Sequence, residues 1–131
     1  MNLFGKILLY LASAMLGVMG ILFLFWPRWI GGEVALGLTA PAAATDVRAV
    51  YGGFELGVAI FLAYCATHQG LQRIGLLAAF LGAFGFAVGR GIGMWVEGSV
   101  TAIHRAMFIF ELTSALVVWL VYRRTPATVS P

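Results

Sequence analysis

The sequence predicts an all-α integral membrane protein, a four-helix bundle with short loops. Of its 131 residues, 62% are hydrophobic and only 10% are charged, whereas about a quarter of the residues of a soluble domain are charged. The apolar residues form four runs of about 20 residues each, the length that an α-helix needs to cross a bilayer. The runs leave room for a single transmembrane domain, residues 1–124, and for no soluble module.

The first span is predicted at residues 7–26. It carries no charge after Lys6 and is longer than the apolar region of a secretory signal peptide. Pro27 follows it in place of a cleavage site, and Trp26 and Trp29 are amphipathic rings suited to the headgroup level. We therefore expect this segment to remain as a membrane span.

The second and third spans are predicted at residues 47–67 and 74–96. Thr45 or Asp46 is the expected N-cap of the second span, because a short oxygen-bearing side chain accepts the free N–H groups of a first helical turn. Only a short loop separates the two spans, so they should be antiparallel neighbours.

Three glycines line one face of the third span. Gly85, Gly89 and Gly93 recur every four residues, a spacing that lets another helix backbone approach closely in a membrane. This face is also the expected contact if the chain forms a homodimer.

The fourth span is predicted at residues 106–122, and residues 125–131 are predicted to be a disordered tail. With four spans, both termini lie on one side of the membrane. That side holds four Lys and Arg residues against three on the other, so the positive-inside rule favours cytoplasmic termini. The four are Lys6, Arg73, Arg123 and Arg124.

Three ionisable residues, Glu55, Arg90 and Glu111, fall inside predicted spans. A charge at the bilayer centre costs at least about 2.5 to 3.5 kcal/mol on insertion scales, so these side chains should face one another or a wet cavity. They are therefore the first candidates for function.

The spacing of neighbouring charges predicts that these three meet at one depth. Glu55 follows Arg48 by seven residues, which in an α-helix is two turns, about 10 Å, along one face. The same spacing separates Glu111 from His104, and Arg90 precedes Glu97 by seven residues in a helix that runs the other way. We predict a ligand-binding set in which the remaining members form a lid near the headgroups. The set is Glu55, Arg90, Glu111, Arg48, Tyr51, Glu97, His104 and Arg105.

Two carboxylates and one guanidinium leave an excess negative charge at this depth. Either one acid is protonated, or a base such as Arg48 or Arg105 reaches down to it. The cluster is then either a structural ion network that fixes helix packing, or a cavity that binds a polar headgroup or relays protons.

Several classes of site and partner are not expected. Cys65 is the only cysteine, which excludes an intramolecular disulfide and a cysteine-based metal site and indicates a packed thiol near a helix end. His68 and His104 are predicted at opposite membrane faces, so they cannot ligate one haem. We predict no metal and no cofactor. Because the basic residues are scattered in ones and twos, nucleic acid is not an expected partner.

Two segments resemble the signatures of a known family. Residues 46–53, DVRAVYGG, resemble the hallmark of a bacterial family of small four-helix membrane proteins catalogued as domain of unknown function 4345. Residues 89–98, GRGIGMWVEG, resemble its second signature, with Glu97 where an aspartate is expected. The resemblance covers most of the chain, and the layout is more distantly similar to DoxX-like proteins, some of which assist other membrane proteins. It implies a four-helix fold in a bacterial inner membrane and brings no established activity.

Three functions follow as alternatives. The first is non-enzymatic binding of a lipid-like small molecule or a membrane protein partner at the Glu/Arg cluster. The second is an isomerase-like enzyme on an apolar substrate, with Glu55 or Glu111 as acid and base. The third is a proton-coupled transporter or an oligomeric channel, which would need a homodimer. Because no recognisable catalytic motif is present, the first is preferred.

Overall fold

All secondary structure in the computed structural model, which describes residues 2–98 and 101–126, is helical. The elements are α1 (Leu3–Phe25), α2 (Pro27–Glu33), α3 (Pro41–Val47), a π-helical segment (Arg48–Phe54), α4 (Glu55–Thr67), a 3₁₀ turn (Gln69–Leu71), α5 (Gln72–Glu97) and α6 (Ala102–Arg124). Four continuous stretches are long and apolar enough to span a membrane, namely Leu3–Phe25, Pro41–Thr67, Gln69–Glu97 and Ala102–Arg124. The predicted fold class is confirmed. Residues 127–131 of the predicted tail lie outside the described residues.

The apolar side chains are turned outward. Trp95 exposes 85% of its area, Phe54 68% and Leu11 61%, and many other large hydrophobic residues are similarly exposed. A soluble protein rarely leaves so much contiguous apolar surface in contact with water. Lipid tails cover such a surface without penalty, because they are themselves apolar. The exposure pattern is therefore that of a membrane-embedded protein.

The second membrane-length stretch begins at Pro41, well before the predicted start at Val47. Pro41 occupies the first turn of α3 and Ala40 precedes it as the N-cap, a position in which the fixed φ angle of proline suits a helix. The predicted N-cap at Thr45 or Asp46 is wrong, since both residues lie inside α3. The Thr45 hydroxyl instead donates to the Pro41 carbonyl at 3.1 Å.

The chain divides into two compact units. The central unit comprises Tyr10–Tyr64, and the terminal unit comprises Met1–Leu9 and Cys65–Pro131.

In the central unit, α1 packs closely against the π-helical segment and the start of α4. A Cβ atom placed on Gly52 would lie 3.0 Å from the Cα of Leu24, and one on Gly20 would lie 3.0 Å from the carbonyl oxygen of Gly52. Both distances are shorter than ordinary contact, so only glycine lets the two backbones come this close. Further along, the Ser13 hydroxyl donates to the Ala59 carbonyl at 2.7 Å.

In the terminal unit, the start of the chain is tied to the start of α5. The Asn2 backbone N–H donates to the Gln72 side-chain oxygen at 2.9 Å, and the Gln72 side-chain amide donates to the Asn2 carbonyl at 2.6 Å. Nearby, a Cβ atom on Gly75 would lie only 2.6 Å from the Cβ of Cys65. Cys65 is fully buried, as expected of a packed thiol near a helix end.

The glycine face of α5 makes no close contact with the described residues of the chain. Gly85, Gly89 and Gly93 are exposed, and a Cβ atom built on any of them would meet nothing within 4 Å among the described residues. The close helix contacts of the chain lie at other glycines, Gly20 and Gly52 among them. A four-residue repeat of small residues makes close packing possible, but it does not require a partner inside the same chain.

Candidate functional site

Arg90 on α5 and Glu111 on α6 form a bidentate ion pair. The Arg90 Nε atom lies 2.9 Å from Glu111 Oε2, and the Nη2 atom lies 2.6 Å from Oε1. The two side chains are 20% and 13% exposed. The opposite charges compensate each other, and the two parallel hydrogen bonds fix the orientation of both side chains. The pair therefore joins the two helices well inside their apolar length.

Small residues on α5 and α6 bring the helices close enough for this pair to form. Ala87 and Ala115 are buried, and a Cβ atom on Gly91 would lie 3.2 Å from the ring of Phe108. Beyond the pair, α5 ends at Gly98, whose φ of 64° is left-handed, a conformation that glycine adopts without strain at a helix C-terminus. The sequence of this hairpin thus positions the ion pair.

Glu55 lies in the central unit, at the first residue of α4. Only 8% of the residue is exposed. No hydrogen bond or ion pair links its carboxyl group to another residue of Tyr10–Tyr64, all of which the structure describes. No fully buried side-chain nitrogen or oxygen among the described residues lacks a hydrogen-bond partner. A Glu55 carboxyl oxygen without a donor therefore keeps some accessible surface, where a donor from outside the central unit can reach it.

The hallmark segment packs against the last turns of α1. The Arg48 Nε atom donates to the Leu24 carbonyl at 3.1 Å, in a part of the helix where carbonyls are short of intrahelical partners. The Tyr51 ring lies 5.3 Å from the ring of Phe23, tilted by 38°. Together with Gly52, these contacts give the DVRAVYGG string a packing role. The predicted ligand contacts of Arg48 and Tyr51 remain predictions.

The π-helical segment changes the register between Arg48 and Glu55. A π-helix bonds each N–H to the fifth residue before it and so contains an extra residue compared with an α-helix. One residue is worth about 100° of rotation, so a spacing of seven residues no longer returns to the same face. The prediction that Arg48 and Glu55 share a face is therefore wrong, because it assumed an α-helix across residues 48–54.

The predicted lid residues of the terminal unit lie around the turn between α5 and α6. Glu97 is the last residue of α5 and is exposed, and Arg105 is exposed in the first part of α6. The His104 Nδ1 atom lies 2.6 Å from the Thr101 hydroxyl, which also accepts a bond from the His104 backbone N–H. Thr101 is thus the N-cap of α6, and His104 donates to it from the first turn of the helix. A lid function for the three residues stays a prediction.

One polar contact was not anticipated from the sequence. Arg73 lies over the ring of Tyr122, with its guanidinium carbon 4.8 Å from the ring centroid. From the sequence, Arg73 counted only as a charge that favours one topology. The signal for the contact would have been the pairing of a first-turn arginine on one helix with a last-turn tyrosine on its antiparallel neighbour.

The fold and the buried charges define a multi-pass α-helical membrane protein with an ion-paired helical hairpin. A family profile described as Domain of unknown function (DUF4345) matches residues 4–122, and the chain belongs to this family. The match includes both segments on which the resemblance was based. No curated protein and no solved structure matches the chain.

Proposed function

We propose that this protein is a non-enzymatic membrane protein that binds a lipid-like small molecule or a membrane protein partner through its intramembrane residues Glu55, Arg90 and Glu111. The proposal rests chiefly on Glu55, a buried residue whose carboxyl group has no donor within its own unit. Intramembrane ionisable residues are usually retained for function, because their insertion into the bilayer is costly.

The three charges have different parts in this proposal. Arg90 and Glu111 neutralise each other through two hydrogen bonds, so this pair holds the α5–α6 hairpin in one arrangement. Glu55 is the acid with the stronger need for an external group. A hydroxyl or amine on an otherwise apolar molecule would donate to its carboxyl group, while the apolar body would replace lipid around it.

The sequence-based localisation forms part of the same proposal. Four membrane-length helices make the protein multi-pass. We place it in a bacterial inner membrane with cytoplasmic termini, which accords with the excess of Lys and Arg on the terminal side.

Native mass spectrometry of gently extracted protein tests the proposal. We expect the wild type to carry an additional mass, either a small molecule or a protein, and Glu55→Gln to lose most of it. Gln preserves the shape of Glu and removes its charge. The matched control is Glu33→Gln, because Glu33 is an exposed acid of the same unit. Equal occupancy in the wild type and Glu55→Gln, or no bound mass in a folded wild type, would contradict the proposal.

A further inference from the structure

One end of the terminal unit is strongly basic. Lys6 lies in the first part of α1, Arg73 in the first turn of α5, and Arg123 and Arg124 in the last turn of α6. The described part of the terminal unit contains two acids, Glu97 and Glu111. Neither is at this end, because Glu97 ends α5 and Glu111 is paired with Arg90. Neither acidic side chain of the described part of the terminal unit therefore lies at the end that carries these four basic residues.

Observed contacts bring these charges together. Lys6 follows Gly5, and a Cβ atom on Gly5 would lie 3.0 Å from the side-chain nitrogen of Gln72, the residue before Arg73. Arg73 in turn stacks on Tyr122, the residue before Arg123. The first turn of α1, the first turn of α5 and the last turn of α6 thus adjoin one another. The four basic residues on these turns therefore lie at one end of the terminal unit, which we call the basic end.

The guanidinium of Arg73 is held in place and still has donors to offer. It is half-buried against the Tyr122 ring, and that ring stacks on Trp119 at 5.5 Å between centroids. No hydrogen bond or ion pair engages Arg73 within the described part of the terminal unit. A planar guanidinium fixed on an aromatic ring is suited to bidentate binding of a phosphate.

The aromatic residues beside the basic end continue towards the membrane interior. Trp119 lies 4.9 Å from Phe80 between ring centroids, and Phe80 lies 5.6 Å from Phe84. Tryptophan and tyrosine prefer the headgroup level, which places the basic end where lipid phosphates lie. The row of rings then offers an apolar surface along which an acyl chain can run.

We propose that the basic end binds the phosphate of an anionic phospholipid, with Arg73 as the direct contact and Lys6, Arg123 and Arg124 adding electrostatic attraction. A juxtamembrane cation contributes about 1 kcal/mol of attraction to an anionic leaflet, so a cluster of four selects anionic over zwitterionic lipid. This site is separate from the buried charges on which the proposed function rests, and it uses different residues.

The test is lipid occupancy by native mass spectrometry after reconstitution into nanodiscs of phosphatidylglycerol and phosphatidylcholine in equal amounts. The wild type is expected to retain phosphatidylglycerol preferentially. Arg73→Gln should lower that occupancy at least about tenfold, because it removes both charge-assisted hydrogen bonds of a bidentate contact. The control is Arg28→Gln, an exposed arginine outside the terminal unit, which should leave occupancy unchanged.

A second variant guards against misfolding. Arg123→Gln/Arg124→Gln alters two exposed side chains and should lower retention of phosphatidylglycerol without affecting helix packing. Equal retention of the two lipids by the wild type, or unchanged occupancy in both variants, would overturn the proposal. Displacement of the lipid by millimolar inorganic phosphate alone would also overturn it, because the surface would then be a general anion site.

Discussion

Gly52 and Gly53 are adjacent in the chain but meet different surroundings. A Cβ atom on Gly52 would lie 3.0 Å from the Cα and 3.1 Å from the backbone nitrogen of Leu24, whereas one on Gly53 would lie 3.8 Å from the Arg48 carbonyl oxygen. Backbone atoms cannot move aside as the end of a flexible side chain can. The contact of α1 with the hallmark segment therefore depends on the first glycine and tolerates a side chain at the second.

We expect Gly52→Ala to be less stable than Gly53→Ala by about 1 to 3 kcal/mol, the usual cost of overpacking. Both substitutions bring a similar gain in helix propensity, so their difference isolates the helix contact. The measurement is unfolding by sodium dodecyl sulfate, followed by circular dichroism in mixed micelles. Equal stability of the two variants would mean that α1 does not pack on Gly52.

For single residues, the sequence shows which charged residues lie inside apolar runs more reliably than it shows which residues they contact. The position of Glu55, Arg90 and Glu111 inside apolar runs was evident, because each interrupts a hydrophobic stretch. The choice of Glu111 as the partner of Arg90 depends on the rotation of α5 against α6, which no local pattern records. In the same way, the glycine repeat of α5 indicated a packing surface, while close contacts with the backbone of another helix are made by Gly20 and Gly52.

At the element scale, the α5–α6 hairpin depends on a salt bridge in a mostly apolar interface. Breaking a buried pair by removing one partner leaves an uncompensated charge, while removing both partners often costs little. Arg90 and Glu111 are 20% and 13% exposed, so the cost should fall below that of a fully buried pair. The hairpin is therefore a place where a double substitution should be milder than a single one.

We expect Arg90→Met to lower stability by about 2 to 4 kcal/mol, and Arg90→Met/Glu111→Met to recover at least half of that loss. Detergent unfolding of the two single variants and the double variant gives the coupling energy. Arg105→Met serves as the control, because Arg105 is exposed on α6 and its loss should change stability by less than about 0.5 kcal/mol. A double variant no more stable than the worse single one would show that the charges act separately.

The helix boundaries were also predictable only in part. Apolar runs of membrane length located all four spans, because the bilayer sets a minimum length. The early start at Pro41 and the π-helical segment at Arg48–Phe54 were not anticipated. The spans were predicted from hydrophobicity alone, and neither feature changes the hydrophobicity of the segment. An α-helical and a π-helical segment can have the same amino-acid composition, so composition cannot show which hydrogen-bond pattern a segment adopts.

At the scale of the whole molecule, the four spans make a prediction about topology. An even number of crossings places the two termini on the same side of the membrane, and the excess of Lys and Arg near them favours the cytoplasm. The topology must also keep the exposed apolar surface of the helices in contact with lipid.

A reporter that is active only in the cytoplasm should therefore be active when it is fused to either terminus. A reporter that is active only outside the cytoplasm should be inactive at both termini. A reporter inserted after Gly98, between α5 and α6, should show the opposite location and is the internal control. Opposite locations for the two termini would mean that one of the four stretches does not cross the membrane. Same-side termini in the external compartment would reverse the predicted orientation without affecting the fold.

The π-helical segment has a consequence for the lengths of sequence that this fold accepts. This segment contains one residue more than an α-helix of the same length. It can therefore lose one residue and become a regular α-helix. Deletion of the exposed Gly53 should convert it to a regular α-helix while Arg48 and Glu55 keep their places. Ile60 is also exposed but lies in the regular α-helix α4, which has no extra residue to lose. Its deletion would rotate the rest of α4 by about 100°. Folded yield from membranes should therefore survive the first deletion and fall with the second.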